Sequence, residues 1–163
     1  MTTKLSGRLI VLVASLLLVL SAGAASWTGY GWWRDSQADT ARDESLVVAR
    51  RAVQGMFGYN FRTIDTQMPK VMEDMTSDFQ EDWTKVTQTV LAPGAKEKEL
   101  AVTATVIESG IISADADRAE VMIFLNQKSI GKDPSKGTFD SSRLRVKLEN
   151  DNDRWLVADV DPI

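Results

Sequence analysis

From Leu9 to Ser26 the chain runs eighteen residues without a charged side chain, LIVLVASLLLVLSAGAAS, and Arg34 is the next ionised group. At about 1.5 Å per helical residue this stretch reaches roughly 27 Å, close to the hydrocarbon thickness of a bilayer, so it predicts one membrane-crossing helix. Trp27, Tyr30, Trp32 and Trp33 follow at once, where amphipathic rings settle at a membrane interface. Lys4 and Arg8 precede the run, whereas Arg34 is offset by Asp35 and Asp39, an asymmetry that places the N-terminus in the cytosol. The predicted organisation is a short cytosolic N-terminus at 1–8, a transmembrane helix with an aromatic interface at 9–33, and an extracytoplasmic domain at 34–163. The competing reading is a cleaved secretory signal, because Ala22-Gly23-Ala24 has the small-residue character of a cleavage site. The run is longer than the usual h-region of about 7 to 15 residues, and a cleaved protein needs no aromatic girdle there.

The outer half of the predicted membrane helix is small-sided, from Ser21 to Ser26, with Ala22 and Ser26 at small-xxx-small spacing. Such a face permits close approach of a second helix, and Ser15, Ala22, Gly23 and Ser26 are the positions predicted for partner-helix contact. A passive anchor, or the remnant of a cleavage site, would show the same composition.

The chain contains no His and no Cys, which removes thiol nucleophiles, imidazole bases, zinc sites built on those ligands, and disulfides. Setting Lys4 and Arg8 aside leaves 17 basic against 23 acidic residues, a formal charge of −6. No basic stripe is present to neutralise a phosphate backbone, so nucleic acid is not an expected partner. Residues 34–163 suit one domain held by its own core.

Between Asp35 and Phe61, the residues Leu46, Ala49, Val53, Met56, Phe57 and Phe61 recur at three- and four-residue spacing, which predicts a long amphipathic helix. It follows the membrane segment so closely that the two would form a nearly continuous rod, with Gly29 and Gly31 as the bend. A second helix starts near Thr63 and Asp65, which suit an N-cap, and runs to about Met72 with Pro69 as its weak point. Thr76 or Ser77 caps a third, with Phe79, Trp83, Val86, Val90 and Leu91 on one face and Pro93-Gly94 as its end. The period then becomes extended. Strands are predicted at Leu100–Ile112, at Arg118–Ser129, through Leu144, Val146 and Leu148 alternating with Arg143, Arg145 and Lys147, and at Trp155–Val160. Polar turns at Ala114–Asp117 and Asn150–Asp153 join them as a meander, and residues 131–138 form the longest loop. The expected fold class is α+β, a single N-terminal transmembrane helix followed by helices packed on a four-stranded antiparallel sheet. A long helix across a curved sheet resembles the cone-shaped, nuclear transport factor 2-like fold.

Candidate chemistry is sparse. Glu73, Asp74, Asp78, Glu81 and Asp82 read as the solvated face of the third helix rather than a metal or acid/base cluster. Asp151-Asn152-Asp153 lacks the glycine and distal Glu of a calcium loop and reads as a β-turn. Gly131-Lys132 has no glycine five residues before it and is not a phosphate loop. Trp155, Phe124 and Phe139 either fill the core or line an apolar pocket between sheet and helices. No catalytic, cofactor-binding or metal-binding residue is predicted, and no cofactor.

Several stretches together resemble the Mce-associated membrane proteins of mycobacteria and related actinobacteria, from the membrane segment to the C-terminus. They are Gly58-Tyr59-Asn60-Phe61, Met75-Thr76-Ser77-Asp78-Phe79, Leu91-Ala92-Pro93-Gly94-Ala95, Val102-Thr103-Ala104-Thr105-Val106, Asp117-Arg118-Ala119 with Ile123-Phe124-Leu125-Asn126-Gln127, Ser142-Arg143-Leu144-Arg145-Val146, and Arg154-Trp155-Leu156-Val157 with Asp159-Val160-Asp161-Pro162. The resemblance implies a non-enzymatic accessory subunit of a Mce-type importer of fatty acids, mycolic acids or sterols. It implies one inner-membrane helix, a periplasmic domain, and the importer's permease and substrate-binding subunits as partners. The family domain is also similar to assembly factors of type IV secretion systems. Eight residues precede the membrane helix where relatives often carry a long cytosolic segment. Two alternatives stand beside this reading. One is a lipid-binding module, marked by an apolar cavity of at least about 300 Å³ open to solvent. The other is a cone-fold enzyme using a carboxylate with Tyr30 or Tyr59, which requires an inward-facing Asp or Glu.

Overall fold

The computed structural model describes residues 39–163. Helix α1 occupies residues 39–57 and buries Ala41, Ser45, Ala49, Ala52, Val53 and Met56 on one stripe. The three- and four-residue spacing of the sequence thus becomes a core-facing helix, with small side chains over much of that face. The expected extension to Phe61 is not realised. After Phe57 the chain turns into a two-residue strand, β1 (Tyr59–Asn60), antiparallel to the edge of the sheet. Gly58 marks the turn. Its N–H donates to the Gln54 carbonyl at 2.9 Å. A Cβ here would meet that same oxygen at 2.7 Å and the Ala104 side chain at 3.3 Å, so the exit needs a residue without one.

Helix α2 (Ile64–Met72) turns Ile64, Met68 and Met72 inward. Thr63 sits at its N-cap but makes no side-chain cap bond. Asp65 bonds Lys96 rather than its own helix end. Pro69 lies inside the helix without ending it. Packing against α1 is close, since a Cβ on Gly55 would fall 2.8 Å from a Val71 methyl.

Thr76 caps α3 (Ser77–Val86) as expected, its hydroxyl accepting from the Phe79 N–H at 3.5 Å. Pro93-Gly94, in contrast, does not end the helical path. The chain widens into a π-helical turn (Thr87–Leu91), where the Ala92 N–H donates to Thr87 five residues back, and then continues as α4 (Ala92–Lys98). The register change puts Pro93 in the first turn of α4, where its missing N–H costs no helix bond. Glu99, in the left-handed region at φ 52°, closes α4. The wide turn also rotates the predicted apolar face. Phe79, Trp83 and Leu91 pack on the core, whereas Val86 and Val90 are exposed.

Strands β2 (Ala101–Ala114), β3 (Arg118–Ile130), β4 (Thr138–Asp151) and β5 (Arg154–Pro162) form the predicted meander, and β1 adds a fifth at the edge, in the order β1-β2-β3-β4-β5. Alternation holds strictly along β3 and β4. Ala119, Val121, Ile123, Leu125, Leu144, Val146 and Leu148 are buried under the helices, with Trp155 and Val157 of β5 beside them. Register shifts fall between Val106 and Glu108, between Ile111 and Ser113, and opposite Lys147/Leu148. Each bulge adds local twist and curls the sheet, and it leaves Ile107 and Ile112 exposed out of phase. The β4–β5 connection is a two-residue turn at Asn152 (φ 52°) and Asp153 (φ 62°), the type I′ geometry suited to tight hairpins. At the β2–β3 turn the Asp115 carboxylate accepts from the N–H groups of Asp117 and Arg118, which holds its pKa below the usual range. Among the described residues no helix is long and apolar enough to cross a membrane.

Two glycines give opposite expectations. Gly58→Val should lower stability by about 1–3 kcal/mol, since a backbone carbonyl cannot yield as a side chain can. Gly94→Ala meets nothing within 4 Å inside a helix and should raise stability by about 0.5–1 kcal/mol. Thermal unfolding of the two variants measures both, and equal midpoints would refute the role given to Gly58.

Candidate functional site

Among the described residues the buried polar side chains are Ser45 and Thr87, and no three metal-ligating side chains converge. Tyr59 lies on β1, where burial pushes its phenol above the usual range and keeps it neutral. Among the described residues no Asp or Glu is buried beside it. Of the two readings for Trp155, Phe124 and Phe139, core filling holds for the first alone, and the three do not line a common pocket between sheet and helices. Trp155 is a core residue, while Phe124 and Phe139 stand on the opposite, outer face of the sheet at 42% and 68% exposure.

The outer face is therefore where polar and aromatic side chains converge. Alternation along β4 sends Arg143, Arg145 and Lys147 outward, and antiparallel pairing sets Phe124 beside Arg143, Met122 beside Arg145 and Lys128 beside Phe139. Lys147 is neutralised from β5. Its Nζ lies 2.7 Å from Asp159 and 3.2 Å from Asp161. That hydrogen bond holds the Asp159 carboxyl below its ordinary range and raises the Lys147 ammonium above its own. Arg143 and Arg145 lie within ion-pair distance of no acid among the described residues, and the Arg145 Nε is shielded from solvent without a hydrogen-bond partner. Two guanidinium groups with adjacent exposed aromatics make a patch of the composition found at protein interfaces.

A second feature joins distant parts of the chain. Asp74 lies in the link between α2 and α3, not on the third helix as expected, and is only 20% exposed. It accepts from Arg51 of α1 at 2.9 Å and sits 3.8 Å from Arg154 of β5. Arg154 also donates to the Glu73 carbonyl. Parallel bridging of Met75 to Val157 brings these groups together, with the Thr76 N–H on the Val157 carbonyl and the Val157 N–H on that of Asp74. Beside this knot an open groove of about 420 Å³ is lined by Glu44, Val47, Asp153 and Trp155. Asp78, Glu81 and Asp82 of the expected acidic cluster stay on the solvated side of α3, the last two around Lys85. The partner-helix residues Ser15, Ala22, Gly23 and Ser26 and the interface residues Trp27, Tyr30, Trp32 and Trp33 lie outside the described residues. Nothing local marks Arg51 or Arg154 as partners of Asp74, because whole helices and strands intervene in the sequence and the three meet only through tertiary packing.

A curled antiparallel sheet with a long helix and shorter helices on its inner face is an NTF2-like α+β domain. Solved structures share it. An IcmL-like type IV secretion system protein from Legionella pneumophila superposes with a TM-score of 0.62 at 14% identity, covering 72% of this chain and 90% of that one. The periplasmic domain of DotI gives 0.62 at 14% identity, with 72% and 91% covered. An NTF2-like superfamily protein from Salmonella enterica gives 0.52 at 9% identity, with 74% and 91% covered. In sequence, the Mycobacterium tuberculosis protein named Outer membrane protein Rv1973 is 34% identical over 156 residues, 93% of this chain and 94% of that protein. The chain belongs to the same family as that mycobacterial protein. No family model matches it.

The Lys147 cluster carries a pH signature. Asp159, with its pKa depressed on folding, stabilises above its ordinary pKa of about 3.9, and that contribution is lost as pH falls through the lowered value. Lys147, with its pKa raised, contributes below about 10.4, and that contribution is lost as pH rises through the raised value. Lys147→Met should therefore flatten both limbs of the stability–pH profile. Denaturant midpoints across pH test this, and limbs that coincide with wild type would exclude the coupling.

Proposed function

We propose that this chain is a non-enzymatic accessory subunit of a Mce-type lipid import complex in the inner membrane. In this reading the segment at 9–33 anchors it, residues 34–163 stand in the periplasm, and the outer sheet face docks on the importer's substrate-binding subunits. The observation that carries the reading is the distribution of polar groups. The domain keeps its buried face apolar and presents Arg143, Arg145, Phe124 and Phe139 along the outer face of β3 and β4. Such a domain has the means to bind a protein, and among the described residues no carboxylate is buried in its interior for acid/base catalysis. Support comes from the likeness to the IcmL-like and DotI domains, whose names place them in a secretion system and in the periplasm. The resemblance of the sequence motifs to Mce-associated proteins supplies the importer. The family relative's name points to a membrane location, although to the outer one. The uncharged run at Leu9–Ser26 favours a single helix in the inner membrane, since a helix of that length is retained by hydrocarbon.

Copurification tests this. Tagged full-length protein, extracted in mild detergent, should bring down the permease, ATPase and substrate-binding subunits, and its deletion should lower importer levels. A protein that runs alone, with importer levels unchanged, sinks the proposal. Two variants separate the contacts. Arg143→Glu combined with Phe124→Ala should reduce recovery of the substrate-binding subunits at least about tenfold, as loss of an Arg and an aromatic anchor does at interfaces, while the fold is kept because both residues are exposed. Ala22→Leu should reduce recovery of the permease with insertion unaffected. Full recovery in either case returns that surface to solvent or lipid.

A further inference from the structure

The helical layer holds a groove of about 380 Å³, open to solvent, between α2 and the segment running from α3 through the π turn into α4. Its walls are Ile64, Met68, Met72, Ala92 and Pro93, with Thr87 among them. The volume falls in the range of small-molecule sites, and paired methionines give an adaptable apolar lining. Thr87 is the unusual member. It is 7% exposed, and its hydroxyl is shielded from solvent with no hydrogen-bond partner. Its neighbours Thr84 and Thr89 donate to the carbonyls of Gln80 and Lys85, four residues back, each at 2.7 Å. Thr87 begins the π turn, where the backbone ladder changes register, and it makes no such bond. At the rim, Lys96 is already held by both oxygens of Asp65, at 2.9 and 2.7 Å, so no uncommitted charge is offered to a ligand.

We propose that this groove binds an uncharged, single-chain aliphatic alcohol. The chain lies along Met68, Met72 and Pro93, and rotation of Thr87 about χ1 brings its hydroxyl to the ligand oxygen. A carboxylate head would have to displace Asp65 from Lys96, and a hydrocarbon would leave Thr87 unpaired. The site lies in the helical layer, away from the outer sheet face, and does not rest on the docking role given to that face.

The test uses the full chain in lipid nanodiscs with methyl-labelled methionine, followed by NMR. Decanol should shift the Met68 and Met72 methyl signals saturably and leave the core Met56 unmoved. Decanol should bind about three- to tenfold more tightly than decane, the value of one hydrogen bond, and more tightly than decanoate. In Thr87→Val, which exchanges an unpaired hydroxyl for a methyl and should fold as well as wild type, the advantage over decane should vanish. In Ala92→Phe, which fills the groove, the response to decanol should be lost. An unsaturable response, equal affinities for decanol and decane, an advantage that survives Thr87→Val, or a response that survives Ala92→Phe overturns the proposal.

Discussion

Burial of one narrow stripe of α1 is the constraint from which the rest of the domain follows. Ala41, Ser45, Ala49 and Ala52 carry little volume, so the helix backbone can approach its neighbours closely, and Val53 and Met56 fill the space toward its C-terminal end. The Ser45 hydroxyl is neutralised within the helix by the Arg42 carbonyl. Close approach then dictates the adjoining residues. Gly55 admits Val71, Gly58 admits Ala104 and its own last-turn carbonyl, and the Gln127 side chain reaches the Phe57 carbonyl across the sheet. A larger residue on this stripe would have to push sheet and helices apart together, because α1, α2 and the inner sheet face share one apolar cluster.

How much of this was legible in the sequence depended on whether the signal was local. Arg143, Leu144, Arg145, Val146, Lys147 and Leu148 alternate without interruption, and the strand forms with the predicted faces, because period-two burial is written in adjacent residues. Thr76 and the Asn152-Asp153 turn were readable for the same reason. Val86 and Val90 were not. Their helical phase was correct for an α-helix, but the π turn at Thr87–Leu91, which follows Val86 and contains Val90, breaks that phase and brings Leu91 onto the core instead. Ile107 and Ile112 escaped for a parallel reason, since a bulge depends on the facing strand as much as on its own residues. The two-residue β1 was hidden because Tyr59 and Asn60 pair only with a strand some forty residues later. The sequence placed Asp74 among solvated acids, and only the meeting of α1, the α2–α3 link and β5 reveals its two arginines. The residues expected to contact a partner helix and the membrane interface lie outside the described residues, so the anchor rests on the sequence pattern alone.

The outer sheet face has a physical tension that the inner face lacks. Arg145 is flanked by Met122 and faces β5, and its Nε is shielded from water without an acceptor, while Lys147 two residues on has two carboxylates. Asp161 pairs in register with Arg145 yet bonds Lys147 instead. The acids of β5 thus neutralise the one cation and leave the guanidinium groups of Arg143 and Arg145 uncompensated beside Phe124. A shielded donor without an acceptor costs the isolated domain free energy, and an exposed phenylalanine adds an unfavourable hydration term. Both costs are relieved if a partner contributes a carbonyl or carboxylate to Arg145 and an apolar surface to Phe124. On the proposed reading the face is unfinished in the monomer and completed by its complex. That is why Arg143 and Phe124, rather than the internally satisfied Lys147, are the residues whose loss should separate binding from folding.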